Sequence, residues 1–136
     1  MKPTRVHDVL YYHLVWSTKE RASLIVPSVE QILYPFIKNK AKELDAEILE
    51  IGGIEDHIHL LVRLKPKHSV AKFVKDIKGS SSHYLTHLAK EQWEFQWQLG
   101  YGVFTVSEAV TPKISQYIRN QKQHHQAKSI FDDMEL

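Results

Sequence analysis

Residues 57–64 read HIHLLVRL, and this stretch decides how the rest of the sequence is interpreted. Its apolar positions recur at every second residue: Ile58, Leu60, Val62 and Leu64. A period of two is typical of a β-strand, whose successive side chains point to opposite faces. We therefore expect a strand over His57–Leu64 with His57 and His59 on the same face, their Cα atoms roughly 6.5 to 7 Å apart.

The segments on either side of this strand predict the fold. Further strands are expected over Val9–Ser17, Ala46–Ile51 and Trp97–Ser107. Apolar residues at helical spacing predict helices from just after Pro27 to about Leu44, from about Ser69 to Leu88, and from Thr111 onward. The first six elements give the order βαββαβ. This order predicts an α+β, ferredoxin-like antiparallel sheet with helices on one face, followed by a C-terminal helix that bears Tyr117.

Local signals set the expected boundaries of these elements. Ser28 resembles the N-cap of a capping box, and Pro35 predicts that the first helix kinks or begins later. Gly52-Gly53 is expected to break the second strand. Thr111 as N-cap and Pro112 as the first helical residue are expected to open the last helix.

Length and composition narrow the class of protein. The 136 residues, 43% apolar and 25% charged, fit one folded domain spanning residues 1–136. Cysteine is absent, which excludes disulfides, a thiolate nucleophile and cysteine-containing zinc sites. No apolar stretch reaches the roughly 18 residues of a membrane span, and the N-terminus lacks a signal-peptide apolar region, so a cytoplasmic protein is expected with no membrane partner.

Charge is distributed unevenly along a sequence whose net charge is only +2. Residues 43–56 contain six acidic residues and no Lys or Arg, whereas residues 63–78 contain six basic residues and one acid. Such sorting is compatible with a polyanionic partner, and equally with a solvated helix face. The tail, residues 131–136, carries three acidic residues.

The histidine pair is the first candidate site. Two imidazoles on one face of a strand can converge on a cation, each through a neutral ring nitrogen. Asp56 and Glu55 precede the pair and could orient it. The alternative is that His57 and His59 are ordinary residues of a half-exposed strand face.

Tyr117 and Gln121 form the second candidate site, one helical turn apart on one face. A tyrosine hydroxyl can act as a nucleophile, although its ordinary pKa of about 10 means that it needs activation. The amide oxygen of Gln121 could be a neutral metal ligand, with His124 or His125 as substitutes. The alternative is that Tyr117 is simply part of the core, beside its apolar neighbours.

Basic residues in two loops and on two helices form the candidate nucleic-acid contacts. Small residues beside the lysines, such as Gly79 and Ser80, leave room for a phosphate to approach. The candidates are Lys19, Arg21, Lys65, Lys67, Lys72, Lys75, Lys78 and Arg119.

The motifs GGIEDHIHLLV, GYGVFTVS and ISQYIRNQKQHH, with the opening YYHLVWSTKER, resemble the single-tyrosine HUH transposases of the smallest bacterial insertion sequences, including their REP-associated relatives. HUH denotes His-hydrophobic-His, here His57-Ile58-His59. The family's nucleophile is a helical tyrosine followed four residues later by glutamine, here Tyr117 and Gln121. The resemblance covers nearly the whole chain, in order.

This resemblance implies a metal-dependent single-stranded DNA transposase and endonuclease. Tyr117 would attack a scissile phosphate, giving a 5′-phosphotyrosine link and a free 3′-hydroxyl. His57, His59 and Gln121 would hold Mg²⁺ or Mn²⁺. The implied partners are single-stranded DNA with hairpin ends and a second copy of the chain, in a homodimer with shared active sites.

Other classes fit less well or stay open. A histidine-triad enzyme needs a third alternating histidine where Leu61 stands, and a zinc hydrolase leaves Tyr117 unexplained. A non-catalytic nucleic-acid-binding module on the same fold would favour exposed aromatic residues on the central strands. A domesticated HUH nuclease that no longer mobilises an element would carry the same motifs.

Overall fold

The computed structural model describes residues 10–123, which form one antiparallel sheet with helices on both faces. Its strands are β1 (Leu10–Ser17), β2 (Glu47–Ile54), β3 (His57–Leu64) and β4 (Gly102–Val106). Its α-helices are α1 (Pro27–Glu43), α2 (Val70–His83) and α3 (Thr111–Arg119). The spatial strand order is β2-β3-β1-β4, with every pair antiparallel, which confirms the ferredoxin-like arrangement.

Strand β3 separates the two faces through its alternating side chains. Its apolar set, beginning with Ile58 and Leu60, packs in the main core with α1 and α2. On the opposite face, Leu61 packs with Tyr117 and Ile118 of α3. Both faces of the central strands are therefore covered, and the face that carries His57 and His59 lies under α3.

Helix α1 begins and continues differently from the expectation. Its first residue is Pro27 and its N-cap is Val26, with no side-chain cap, so the capping box at Ser28 is absent. Proline suits this first position because its missing N–H would have no intrahelical partner there. The helix also runs on through Pro35 to Glu43. One lost backbone hydrogen bond is tolerated where the buried Leu33 and Ile37 anchor the helix on the sheet.

The expected break at Gly52-Gly53 is wrong, since both glycines are paired within β2, Gly52 opposite His59 and Gly53 opposite Ile58. The glycines serve close packing instead. A Cβ at Gly52 would collide with the backbone carbonyl oxygen of Ile118, and one at Gly53 with that of His57. The absence of a side chain at Gly52 thus lets α3 approach the sheet.

The remaining boundaries are shifted by local interactions. The Ser69 side chain caps α2 by accepting from the backbone N–H of Lys72, and a π-helical turn over Tyr84–Leu88 follows. Strand β4 is shorter than expected, because Trp97 forms only an isolated bridge with Thr18. Helix α3 starts one residue early: Val110 is its N-cap and Thr111 is already helical, after a 3-10 turn over Glu108–Val110.

Within residues 10–123, none of the helices combines the length and the apolar composition needed to cross a bilayer.

Candidate active site

His57 and His59 lie side by side on the α3 face of β3, with ring centroids 5.1 Å apart and ring planes at 74°. Both are almost fully buried, at 2% and 0% exposure. The half-exposed strand face that was the alternative interpretation is therefore absent. Two imidazoles in an enclosed space require polar partners or a bound cation, because desolvated ring nitrogens are costly.

Tyr117 reaches this same space from α3. Its ring centroid is 5.7 Å from that of His59, with the planes at 89°, and the residue is 4% exposed. The neighbouring Ile118 lies directly over Gly52, so the contact between helix and sheet fixes the height of the tyrosine above the histidines. Tyr117 belongs to a small core cluster, and it also faces the histidine pair.

Three polar contacts hold α3 and the residues after it against the rest of the chain. Glu50 of β2 accepts hydrogen bonds from the Ser115 hydroxyl at 2.6 Å and from Arg119 at 3.2 Å. Lys122 forms an ion pair with Glu30 of α1 at 2.9 Å. These contacts set the helix in register along β2, so that Tyr117 stands above the histidines.

Gln121 completes the group of predicted residues. Its Oε1 lies 3.3 Å from His57 Nε2, while its Nε2 donates to the Tyr117 carbonyl oxygen at 3.4 Å. The second contact assigns the amide orientation, because only the NH₂ group can donate to a carbonyl. Gln121 therefore turns its acceptor oxygen toward His57. His124 and His125 lie outside the described residues.

Asp56 fixes the orientation of His57. Its Oδ1 lies 2.8 Å from His57 Nδ1, and its Oδ2 pairs with Arg21 Nε at 3.4 Å. A terminal nitrogen of Arg21 is also 3.4 Å from His57 Nδ1, but the shorter carboxylate contact identifies Nδ1 as a donor. When His57 is neutral, its Nε2 then carries a lone pair, and this nitrogen faces another acceptor, the Gln121 oxygen.

Two acceptors that face each other are stabilised by a cation between or beside them. Two imidazole nitrogens and an amide oxygen are suitable donors for a divalent first-row ion. Among the described residues, no group of three or more His, Cys, Asp or Glu side chains could hold a metal. A divalent ion bound here would need the amide oxygen of Gln121 as its third donor, and the residues present fit such an ion.

His13 of β1 is a site residue that the sequence analysis missed. Its Nε2 lies 2.7 Å from His59 Nδ1, and its ring stacks on that of His59 at a centroid distance of 5.0 Å. It is 1% exposed and also contacts Tyr117 ring-to-edge at 6.0 Å. A single histidine within the apolar run LYYHLVWS was the available signal.

Most of the basic residues predicted to contact DNA already form ion pairs or hydrogen bonds within the chain. Lys65 and Lys67 both pair with Asp45, at 3.0 and 2.8 Å, and their hydrogen bonds lower the pKa of that exposed carboxyl to about 2. Arg119 pairs with Glu50, and Arg21 reaches the candidate site itself. Lys19 lines a surface cavity of about 730 Å³ beside the π-helical turn.

The α2 lysines (Lys72, Lys75 and Lys78) differ from one another. Lys72 pairs with Asp76 at 2.9 Å, one turn away. Lys78 donates to the carbonyl oxygens of Gln98 and Gly100, at 2.6 and 2.9 Å, and partial burial lowers its pKa. Lys78 therefore holds the loop before β4, while Lys75 is exposed on the helix surface.

Helix α3 packs on the sheet of its own chain. Ile118 on its apolar face is fully buried against β2 and β3 within one chain. As a result, Tyr117, His57, His59 and Gln121 meet within a single copy. Helix α3 lies across β2 and β3, and β3 carries both His57 and His59.

The structure is a ferredoxin-like sheet with a histidine pair beneath a tyrosine-bearing helix, and comparisons with known proteins assign its class as a transposase. The family model described as "Transposase IS200 like" matches residues 6–121. The ISDra2 transposase TnpA of Deinococcus radiodurans is 31% identical over 117 residues, covering 82% of this chain and 84% of the relative. The IS200 transposase of Salmonella typhimurium is 30% identical over 115 residues, covering 81% of this chain and 75% of the relative.

A solved structure supports the fold. The REP-associated tyrosine transposase bound to a REP hairpin superposes with a TM-score of 0.67 at 16% identity, covering 92% of this chain and 74% of that one. The chain belongs to the IS200-like transposase family. Its general activity is therefore that of a transposase, namely DNA cleavage and strand transfer in the movement of an insertion sequence.

Proposed function

We propose that the protein is a metal-dependent transposase and endonuclease of single-stranded DNA in which Tyr117 is the nucleophile. One observation carries the proposal: Tyr117, His57, His59 and Gln121 come from distant parts of the chain and share one enclosed space under α3. A purely structural tyrosine would not need two buried histidines and a buried amide as neighbours.

The reaction exchanges one phosphate ester for another. The Tyr117 hydroxyl oxygen attacks the scissile phosphorus, and the bond from phosphorus to the 3′ oxygen breaks. The phenolic proton is lost and the leaving 3′ oxygen gains a proton, which gives a 5′-phosphotyrosine and a free 3′-hydroxyl. Because an ester replaces an ester, a 3′-hydroxyl can reverse the step and rejoin strands without an external energy source.

His57 Nε2, Gln121 Oε1 and the Nε2 of His59 would hold the divalent ion, either Mg²⁺ or Mn²⁺. Such an ion supplies Lewis-acid stabilisation of the charge that develops on the phosphate. Two imidazole donors suit Mn²⁺ at least as well as Mg²⁺. The chain's own contribution is to orient: Asp56 fixes the His57 ring, and the Tyr117 carbonyl fixes the Gln121 amide.

The proposed substrate is single-stranded DNA that carries a hairpin. The REP-associated neighbour binds a hairpin, and the fold is shared. Arg21 supports the placement of a phosphate here, since its guanidinium is within 3.4 Å of both Asp56 and His57. A phosphate arriving at the histidines would therefore have a cation at its edge.

The family resemblance further implies a homodimer with shared active sites, and we retain this as a prediction. In such a dimer, α3 of one chain would occupy the position over its partner that it occupies here over its own sheet. The contacts of Ser115 and Arg119 with Glu50 would then form between copies. Exchange of one helix between identical chains needs no new complementary surface.

Formation of a covalent adduct with DNA tests the proposed nucleophile. Wild-type protein, Mn²⁺ and an end-labelled hairpin oligonucleotide should give a product that survives denaturing electrophoresis. Tyr117→Phe should abolish it, and His57→Ala or EDTA should lower it strongly. Tyr101→Phe is the matched control, because this half-buried tyrosine packs against the main core. An adduct formed by Tyr117→Phe would refute the assignment.

A further inference from the structure

The proposed reaction gives His59 a metal-binding role but assigns none to its buried partner His13. The facing ring nitrogens of the two residues are 2.7 Å apart, a short hydrogen bond for two nitrogens, and the rings stack at 30°. His13 occupies an interior position of β1, where an apolar residue would fill the space without burying two ring nitrogens. The cost of burying this imidazole therefore calls for a compensating interaction.

We infer that His13 is a positioning residue that sets the tautomer of His59 by accepting a hydrogen bond from His59 Nδ1–H. This inference rests on the proposed function only in that His59 is a metal ligand. One proton lies between the two facing nitrogens. If it resides on His13, His59 keeps its own proton on Nε2 and cannot ligate through that atom. If it resides on His59 Nδ1, the lone pair of His59 Nε2 is available.

The second histidine supports this choice. His57 Nδ1 is engaged by Asp56 at 2.8 Å, which leaves Nε2 facing Gln121. With His13 as acceptor, both histidines of β3 bond outward through Nδ1 and offer Nε2 to the same space. Residues that hold the second nitrogen of a ligating histidine are a general requirement of metal sites.

The two orienting partners differ in charge. Asp56 is a carboxylate at a partly exposed position, whereas His13 is an imidazole in the protein interior. A neutral acceptor next to His59 fixes the ring without adding a negative charge beside a site that must admit a DNA phosphate. His13 therefore provides orientation where a second carboxylate would repel the substrate.

Nitrogen NMR of the ion-free protein tests the tautomer directly. We expect His59 to be protonated on Nδ1 in the wild type, and His13→Phe to yield a mixture of tautomers or the Nε2–H form. A wild-type His59 that carries its proton on Nε2 would overturn the inference. This measurement requires neither DNA nor cleavage.

Mn²⁺ binding, measured by calorimetry without DNA, provides the second readout, with two matched variants. A glutamine in place of His13 would carry its terminal amide to the position of the imidazole Nε2, whereas an asparagine amide would reach only the position of Nδ1. We expect His13→Gln to retain affinity, and His13→Asn and His13→Phe to lose about 10- to 100-fold. Thermal melting of each ion-free variant checks that it is folded.

The outcomes separate this inference from the proposed function. If the wild type binds Mn²⁺ and all three variants bind equally well, His13 has no positioning role, while the proposed function stands. If the wild type binds no Mn²⁺ and forms no adduct, the proposed function fails, and the NMR experiment still decides the tautomer. Tighter Mn²⁺ binding by His13→Gln than by His13→Asn is the result that a merely space-filling role of His13 would not give.

Discussion

Gly52→Ala tests whether the close approach of α3 to the sheet sets the position of the nucleophile. The new methyl group would lie 3.1 Å from the Ile118 carbonyl carbon and 3.2 Å from its Cγ2, and closer still to the carbonyl oxygen. Ordinary contacts of this kind span 3.4–4 Å. Helix α3 must therefore move outward by roughly 1 Å, because the overlap involves backbone atoms that cannot rotate away.

Two magnitudes follow from that displacement. Overpacking of this kind costs about 1 to 3 kcal/mol of the free energy of unfolding, or roughly 3 to 15 °C in melting temperature for a chain of this size. A nucleophile displaced by about 1 Å loses on the order of 100-fold in rate. The loss in adduct formation should therefore be large while the protein stays folded.

Single-turnover adduct formation on hairpin DNA, measured below the melting range, is the suitable assay. Gly79→Ala is the matched control, because a Cβ there meets nothing within 4 Å and the residue lies in helix α2. At saturating DNA this control should cleave like the wild type, and it should be up to about 1 kcal/mol more stable. A Gly52→Ala protein that cleaves at the wild-type rate would refute the argument that helix height controls the chemistry.

Two further predictions concern DNA binding and assembly. Lys75→Met should lower the slope of log affinity against log salt concentration by about 0.7, which is the value for one lost single-strand phosphate contact. Lys78→Met should instead lower the melting temperature, because Lys78 holds the loop before β4. Salt titrations and melts of both variants check this, and an unchanged slope for Lys75→Met would place the DNA elsewhere. For assembly, one chain carries His57→Ala and His59→Ala, the other carries Tyr117→Phe, and different tags allow the heterodimer to be purified. If α3 is exchanged between the chains, this heterodimer should form about half as much adduct as the wild-type dimer. An inactive heterodimer would mean that each site is built within one chain.

Much of the fold was predictable because the periodicity of β3 and the order of elements are local properties of the sequence. The pairing of His57 and His59 on one face followed from the same period. Motif resemblance singled out Tyr117 and Gln121, and their proximity to the histidines is a property of the packing. Proximity of this kind depends on the whole chain, so the motif alone could not supply it.

The errors arose where a distant segment decides a local conformation. Gly52 looked like a strand break because the sequence around it does not show that Ile118, 66 residues later, lies against it. His13 was missed for the same reason, since its partner His59 is 46 residues away. Trp97 resembles a strand residue, yet it forms only an isolated bridge with Thr18.

The alternation along β3 has a consequence for how this protein can change. One set of its side chains holds the main core and the other set carries the chemistry, and the two are interleaved residue by residue. Substitutions on the core face can therefore change the melting temperature, and substitutions on the α3 face can change the cleavage rate, independently of each other. A single-residue insertion or deletion inside β3 has a different effect, because it exchanges the two faces of every residue beyond it. If the C-terminal end of the strand keeps its register, deletion of Leu60 would place the two imidazoles on the core face and Ile58 under the tyrosine. A functional relative therefore has to preserve the number of residues in β3 more strictly than the types of those residues.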